Sequence, residues 1–265
     1  MMKTMIIKGL NERGYKAEIT TITKNGIVMT GVIIGDGVIR PTIYIDKYLN
    51  TGNSLSEIVS DIINTYENTP KPDINIKNVM SWDYAKNNLR LCLQKKSDED
   101  IIKRDFLDME MYVRVRVSAN GTYKIKPGMF KEISEEEIFA RAILNAKANV
   151  EIEDMGQMMA DMMGIPVSEL DTAPNMIVVS NKEKINGASA ICDTELLSRI
   201  ANTYKSDLVI ILSSIHECIL YPDNTPNIKY YNNMIVEVNE TSVAPEERLS
   251  NHAYIFKRET CEIVW

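Results

Sequence analysis

The sequence predicts an α+β fold: two subdomains, each a mixed or antiparallel sheet with packed helices, joined by a helical segment. Three observations carry this. Period-two runs flank Asn-Gly pairs at 16–34 and 109–126, the pattern of antiparallel hairpins. Capped helices of 3.6-residue period stand at 54–68 and 134–150, set apart from the hairpins. Hairpins and helices mix without strict βαβ alternation, which argues against a doubly wound parallel sheet. The expected organisation is an N-terminal α+β subdomain over 1–133, a helical connector with a Met-rich helix over 134–171, and a C-terminal α+β subdomain over 172–265.

The elements follow in order. In KAEITTITKNGIVMTGVII (16–34), Asn25-Gly26 supplies the positive φ angles of a type I′ turn. RPTIYID (40–46) reads as a third strand, with Pro41 at its start, where a missing N–H is tolerated. In SLSEIVSDIINTYEN (54–68), Ser54 and Glu57 form a capping box. Leu55, Ile58, Val59, Ile62, Ile63 and Tyr66 fall on one helical face. TPKPD (69–73) ends that helix. Residues 74–104 allow a short helix near Asn78–Tyr84, then a strand or helix through Leu89–Leu93.

MEMYVRVRVSANGTYKIK (109–126) is a second hairpin turning at Asn120-Gly121. Tyr112, Arg114 and Arg116 alternate with Val113, Val115 and Val117, so one face is expected wet and one buried. Ser134 and Glu137 cap a helix running to about Val150. In EDMGQMMADMMG (153–164), Met155, Met158, Met159, Met162 and Met163 make one stripe, stopped by Gly164 and Pro166. VSELDTAPN (167–175) reads as a linker. Strands are then expected at 176–181, 188–192, 207–212, 217–221, 254–257 and 262–264, with helices at 193–204 and 228–240.

Composition excludes several functions. At 265 residues the chain can bury a sizeable core. Net charge is −7, which argues against a nucleic-acid partner, since that contact relies on Lys and Arg neutralising phosphates. No apolar run approaches the ~20 residues that span a bilayer. The opening MMKTMIIKGLNERGYK is too short and interrupted in its apolar stretch for a signal peptide. A cytoplasmic location and no membrane partner are therefore expected. Cys92, Cys192, Cys218 and Cys261 form no CxxC pair and are read as reduced thiols.

Candidate chemistry centres on SSIHEC (213–218), which follows an apolar strand. His216 has a side chain suited to general base work. Glu217 points to the opposite face if the segment is extended. His252, one of only two histidines, precedes a later strand and could approach His216 across a sheet edge. The sharp hypothesis is a hydrolase-type or metal-dependent site of His216 and His252 with an acid such as Glu217 or Asp223. The plain alternative makes Ser213 and Ser214 a turn and ties His216 to backbone; with nothing like HExxH present, it is preferred. Cys218 with His216, or Cys192 with His252, lacks a third orienting group for a nucleophile. SNKEKINGA (180–188) is not a P-loop, and Gly35 and Gly37 lack the GxGxxG pattern. No cofactor is implied. The Met stripe is read as core filler; exposed, it would mark a partner-binding surface. Arg114 and Arg116 are read as a solvated face.

Several pieces resemble a known family. SNKEKINGA, SSIHE and VAPEERLSNHAY, with PTIYID and its following helix, are similar to an uncharacterised bacterial family, domain of unknown function 5688. The resemblance covers most of the chain and implies a bacterial cytoplasmic protein with no assigned activity. The opening segment is shorter than the family's usual first helix. The function expected is a non-enzymatic interaction or regulatory module whose partner is another protein, with the His216/His252 enzyme as the alternative.

Overall fold

The computed structural model describes residues 2–37, 40–49, 52–69, 75–118, 121–170 and 175–265. The chain divides into two compact units, Met1–Asp73 and Ile74–Trp265. The break therefore falls inside the stretch that the sequence suggested as one N-terminal subdomain, and residues 134–171 belong to the second unit.

The first unit opens with a helix the sequence reading did not place, α1 (Met2–Glu12), which buries Ile6 and Leu10. The hairpin β1 (Ala17–Lys24) and β2 (Ile27–Ile34) pairs in register from Lys24↔Ile27 to Ala17↔Ile34. Asn25 and Gly26 have φ of 48° and 76°, the left-handed values the turn requires. β3 (Thr42–Tyr44) adds to β2, and a short α2 (Asp46–Leu49) follows. α3 (Leu55–Asn68) carries the full capping box of Ser54 and Glu57. It buries Ile58, Val59 and Ile62 against Ile6, Leu10, Val32 and Ile34.

The second unit begins with α4 (Ile76–Val79) and α5 (Trp82–Asn88). A four-stranded antiparallel sheet follows: β4 (Leu89–Lys95), β5 (Lys103–Phe106), β6 (Met109–Arg116) and β7 (Thr122–Lys124). β6 lies between β4 on one side and β5 and β7 on the other. Asn120 of the second Asn-Gly turn lies outside the described residues. α6 (Glu135–Asn149) starts at Ser134, whose Oγ accepts the Glu137 N–H. It covers the apolar face of this sheet through Ile138, Phe139 and Ala142.

A second sheet of six antiparallel strands has the order β13-β12-β10-β11-β9-β8. Its members are β8 (Val150–Asp154), β9 (Ile177–Asn181), β10 (Leu208–Ile211), β11 (Cys218–Pro222), β12 (Tyr254–Lys257) and β13 (Glu262–Val264). α7 (Met155–Met163) follows the edge strand β8. α8 (Thr194–Tyr204) packs in one face of the sheet, and α9 (Ile228–Thr241) buries Tyr231 and Ile235 against Val209 and Ile211. Leu93 and Met109 of the four-stranded sheet sit in the same core as Val179, Leu208, Leu220 and Phe256, so both sheets share one interior.

Residues expected as a strand at 188–192 form a 3-10 turn, Gly187–Cys192. The supposed linker holds another, Val167–Glu169, while 171–174 lie outside the described residues. Among the described residues, no helix is long and apolar enough to cross a membrane.

Candidate functional site

His216 leaves β10 in a segment held on both sides. Ile215 N–H donates to Glu247 O, and Leu249 N–H to Ser213 O, at 2.9 and 3.1 Å. On the other side Gly187 N–H and Ser180 Oγ both donate to His216 O, at 2.9 and 2.7 Å. This approach demands glycine. A Cβ on Gly187 would lie 2.6 Å from the Asn181 nitrogen and 2.7 Å from the His216 oxygen.

The His216 ring is tied at both nitrogens. Nδ1 accepts the Asn186 N–H at 3.3 Å, so the ring proton of the neutral form sits on Nε2. That nitrogen faces Glu247 Oε1 at 3.3 Å. With both nitrogens engaged, the ring joins the Asn186 turn to the Glu247 turn and has no lone pair free for a substrate.

His252 is tied elsewhere. Nε2 lies 3.0 Å from Asp108 Oδ2 and Nδ1 3.2 Å from Ala253 O. Both neighbours are acceptors, so the neutral ring can donate to only one at a time. Tyr254 OH donates to Asp108 Oδ1 at 2.6 Å. Burial works to raise the Asp108 carboxyl, but the Tyr254 and His252 hydrogen bonds outweigh it and hold it below its ordinary value. Burial and the Asp108 bond push Tyr254 upward.

Among the described residues the two histidines share no polar partner: Asn186, Ser214 and Glu247 serve His216, and Asp108, Ser250 and Ala253 serve His252. Glu217 is half-buried between His216 and Cys218. Asp223 accepts from Tyr231 OH and Thr225 N–H, which is turn work. Burial pushes the Cys192 and Cys218 thiols up, the opposite of an activated nucleophile. Among the described residues, no group of three or more His, Cys, Asp or Glu is placed to hold a metal ion. Two small overlapping pockets beside α6 share Leu91, Ala146, Val150, Ser189 and Ala190, and neither histidine lines them.

The Met-rich segment reverses an expectation. α7 is capped by Asp154, whose carboxylate accepts Gln157 N–H, and ends at Gly164 with φ 69°. Gly156 and Ala160, four residues apart, are its buried residues. Met159, Met162 and Met163 are 40%, 88% and 62% exposed. Small side chains form the packing face, so Met159, Met162 and Met163 turn outward rather than filling the core, while Met155 and Met158 are half-buried. The neighbouring edge strand adds Ile152, 46% exposed. The sequence marked the stripe but not its face, because Gly156 and Ala160 carry little weight in a hydrophobic pattern.

An α+β chain with three antiparallel sheets and a capped, outward-facing methionine helix defines no enzyme class. The chain belongs to the family of unknown function DUF5688, which it matches over residues 1–258. No curated protein and no solved structure matches it.

Proposed function

We propose that this chain is a non-enzymatic protein-interaction module that receives a partner segment on the methionine face of α7. The observation that carries the reading is the exposure of Met159, Met162 and Met163 on a helix capped at both ends. Met side chains are flexible and polarisable and suit surfaces that repack around varied apolar partners. Exposed apolar side chains grouped in this way mark interaction surfaces more often than chance.

Charge specifies the partner. From Ala148 to Asn181 there is no Lys or Arg, while Glu151, Glu153, Asp154, Asp161 and Glu169 lie in the same stretch. Lys184 reaches in to pair with Glu151 and Glu153, leaving the acids nearer the methionines unneutralised by a cation of that stretch. An apolar segment with basic flanks is complementary. The absence of a free imidazole nitrogen at His216 supports the same reading.

The test is a photo-reactive residue placed at Met162 in cells that make the protein, with a control placement at exposed Glu240. A discrete heavier adduct at 162, absent at 240 and abolished by Met159→Glu with Met163→Glu, is expected. No adduct at 162 refutes the module, and an adduct of twice the chain's mass assigns the surface to a second copy instead.

A further inference from the structure

We propose that the polar face of the four-stranded sheet binds the phosphate dianion of a small phosphate monoester, or free phosphate, at Arg114. The register places Arg90 of β4 opposite Arg114 of β6, and Arg114 opposite Lys124 of β7. Three cations thus stand in one row across three strands, and Arg116 lies two residues on, on the same face. Like charges directly opposite each other destabilise a sheet, so such a row needs anions.

Carboxylates serve only its ends. Glu183 pairs with Arg90 at 2.8 Å and with Arg116 at 2.6 Å. Glu99 pairs with Lys124 at 2.5 Å. Arg114 makes no ion pair among the described residues, and its Nε is buried without a hydrogen-bond partner. Its described contact is with the Tyr112 ring, 5.7 Å away. A buried donor of a charged group left without an acceptor is costly. Burial, and after the Glu99 contacts the charge of Arg114, shapes Lys124, whose ammonium is held below its ordinary value.

Charge balance names the ligand. Arg90, Arg114, Arg116 and Lys124 face two carboxylates, Glu183 and Glu99, while the nearby Lys103 and Glu110 answer each other at 3.6 Å. The surplus of two positive charges equals the charge of a phosphate monoester near neutral pH, about −2. The guanidinium fork donates two parallel hydrogen bonds to such an oxyanion. The proposal is independent of the α7 surface.

The experiment is thermal unfolding of the full chain, followed by tryptophan fluorescence, with inorganic phosphate or glycerol phosphate titrated at constant ionic strength and acetate as control. A saturable rise with phosphate, larger than with acetate, is expected in the wild type. Arg114→Gln should weaken it at least tenfold and should raise the midpoint in phosphate-free buffer, because a like charge has been removed. Tighter glycerol phosphate would mean that the phosphate is carried on an organic molecule; equal binding would mean free phosphate. No saturable rise, or an equal rise in Arg114→Gln, overturns the proposal. If that variant does not fold, Arg114→Lys decides: the charge stays but the fork is lost, so affinity must fall, and unchanged affinity overturns the proposal.

Discussion

Gly187→Ala should be among the most damaging single-methyl changes in the second unit. The added Cβ would lie 2.6 Å from Asn181 N and 2.7 Å from His216 O. Both are backbone atoms and cannot rotate away. Overpacking of a tight site costs ~1–3 kcal/mol. The displacement also stretches two hydrogen bonds to His216 O, from Gly187 N–H and Ser180 Oγ, each worth ~1 kcal/mol. The expected loss is therefore about 3 kcal/mol. Urea unfolding followed by tryptophan fluorescence isolates the effect, because both tryptophans, Trp82 and Trp265, lie in the unit Ile74–Trp265. The midpoint should fall while the slope stays constant. A loss below about 0.5 kcal/mol, the range of a neutral surface change, would refute the close approach that fixes His216.

Ser54→Ala removes the cap of α3 and should cost about 1 kcal/mol in the first unit; circular dichroism should detect it while tryptophan fluorescence, confined to the second unit, stays unchanged. Glu183 is held below its ordinary value, first by its hydrogen bonds to Arg90, which outweigh burial, and then by the Arg90 and Arg116 charges. Its folded value being depressed, its stabilisation is full above the unfolded carboxylate value of about 4.3 and is lost as pH falls through the lower folded value. Glu183→Gln should remove that part of the acid dependence, and an acid limb identical to wild type would contradict the clamp. In native protein the exposed Cys261 should react quickly with a thiol reagent. Buried Cys92 and Cys218 should react only on unfolding, since burial pushes both up, Cys92 to about 11, and half-buried Cys192, pushed up likewise, should react slowly; more than one fast thiol would contradict this.

Local chemistry made much of the fold legible. Asn25-Gly26 placed the first hairpin, the Ser54 box placed α3, and the strand at 254–257 was read to the residue. The misses have physical causes. β8 follows α6 with no turn residue between Asn149 and Val150, and its acids mask the pairing with β9. Ala188–Cys192 looked like a strand because small and apolar residues alternate, but Asn186 at φ 54° and Gly187 against His216 O bend the chain into a 3-10 turn. α1 buries only Ile6 and Leu10, one helical turn apart, and two buried positions make a weak periodic signal.

The site was less legible because its partners are distant. Asp108 lies 144 residues from His252, and Glu183 lies 93 and 67 residues from Arg90 and Arg116. Arg114 and Arg116 were read as a wet face, yet Tyr112 beside them is buried and Glu183 closes over Arg116. No local pattern announces a carboxylate that arrives from another sheet. The methionine stripe was visible at its spacing, but its direction was decided by Gly156 and Ala160.

The most direct measurement is a methyl spectrum of the protein labelled at its methionine methyl groups, titrated with a synthetic amphipathic helix bearing leucines on one face and lysines at the rim. The account predicts saturable shifts confined to Met159, Met162 and Met163, with buried Met109 unmoved. Shifts absent from those three, or spread evenly over all methionines, would contradict the docking surface on α7.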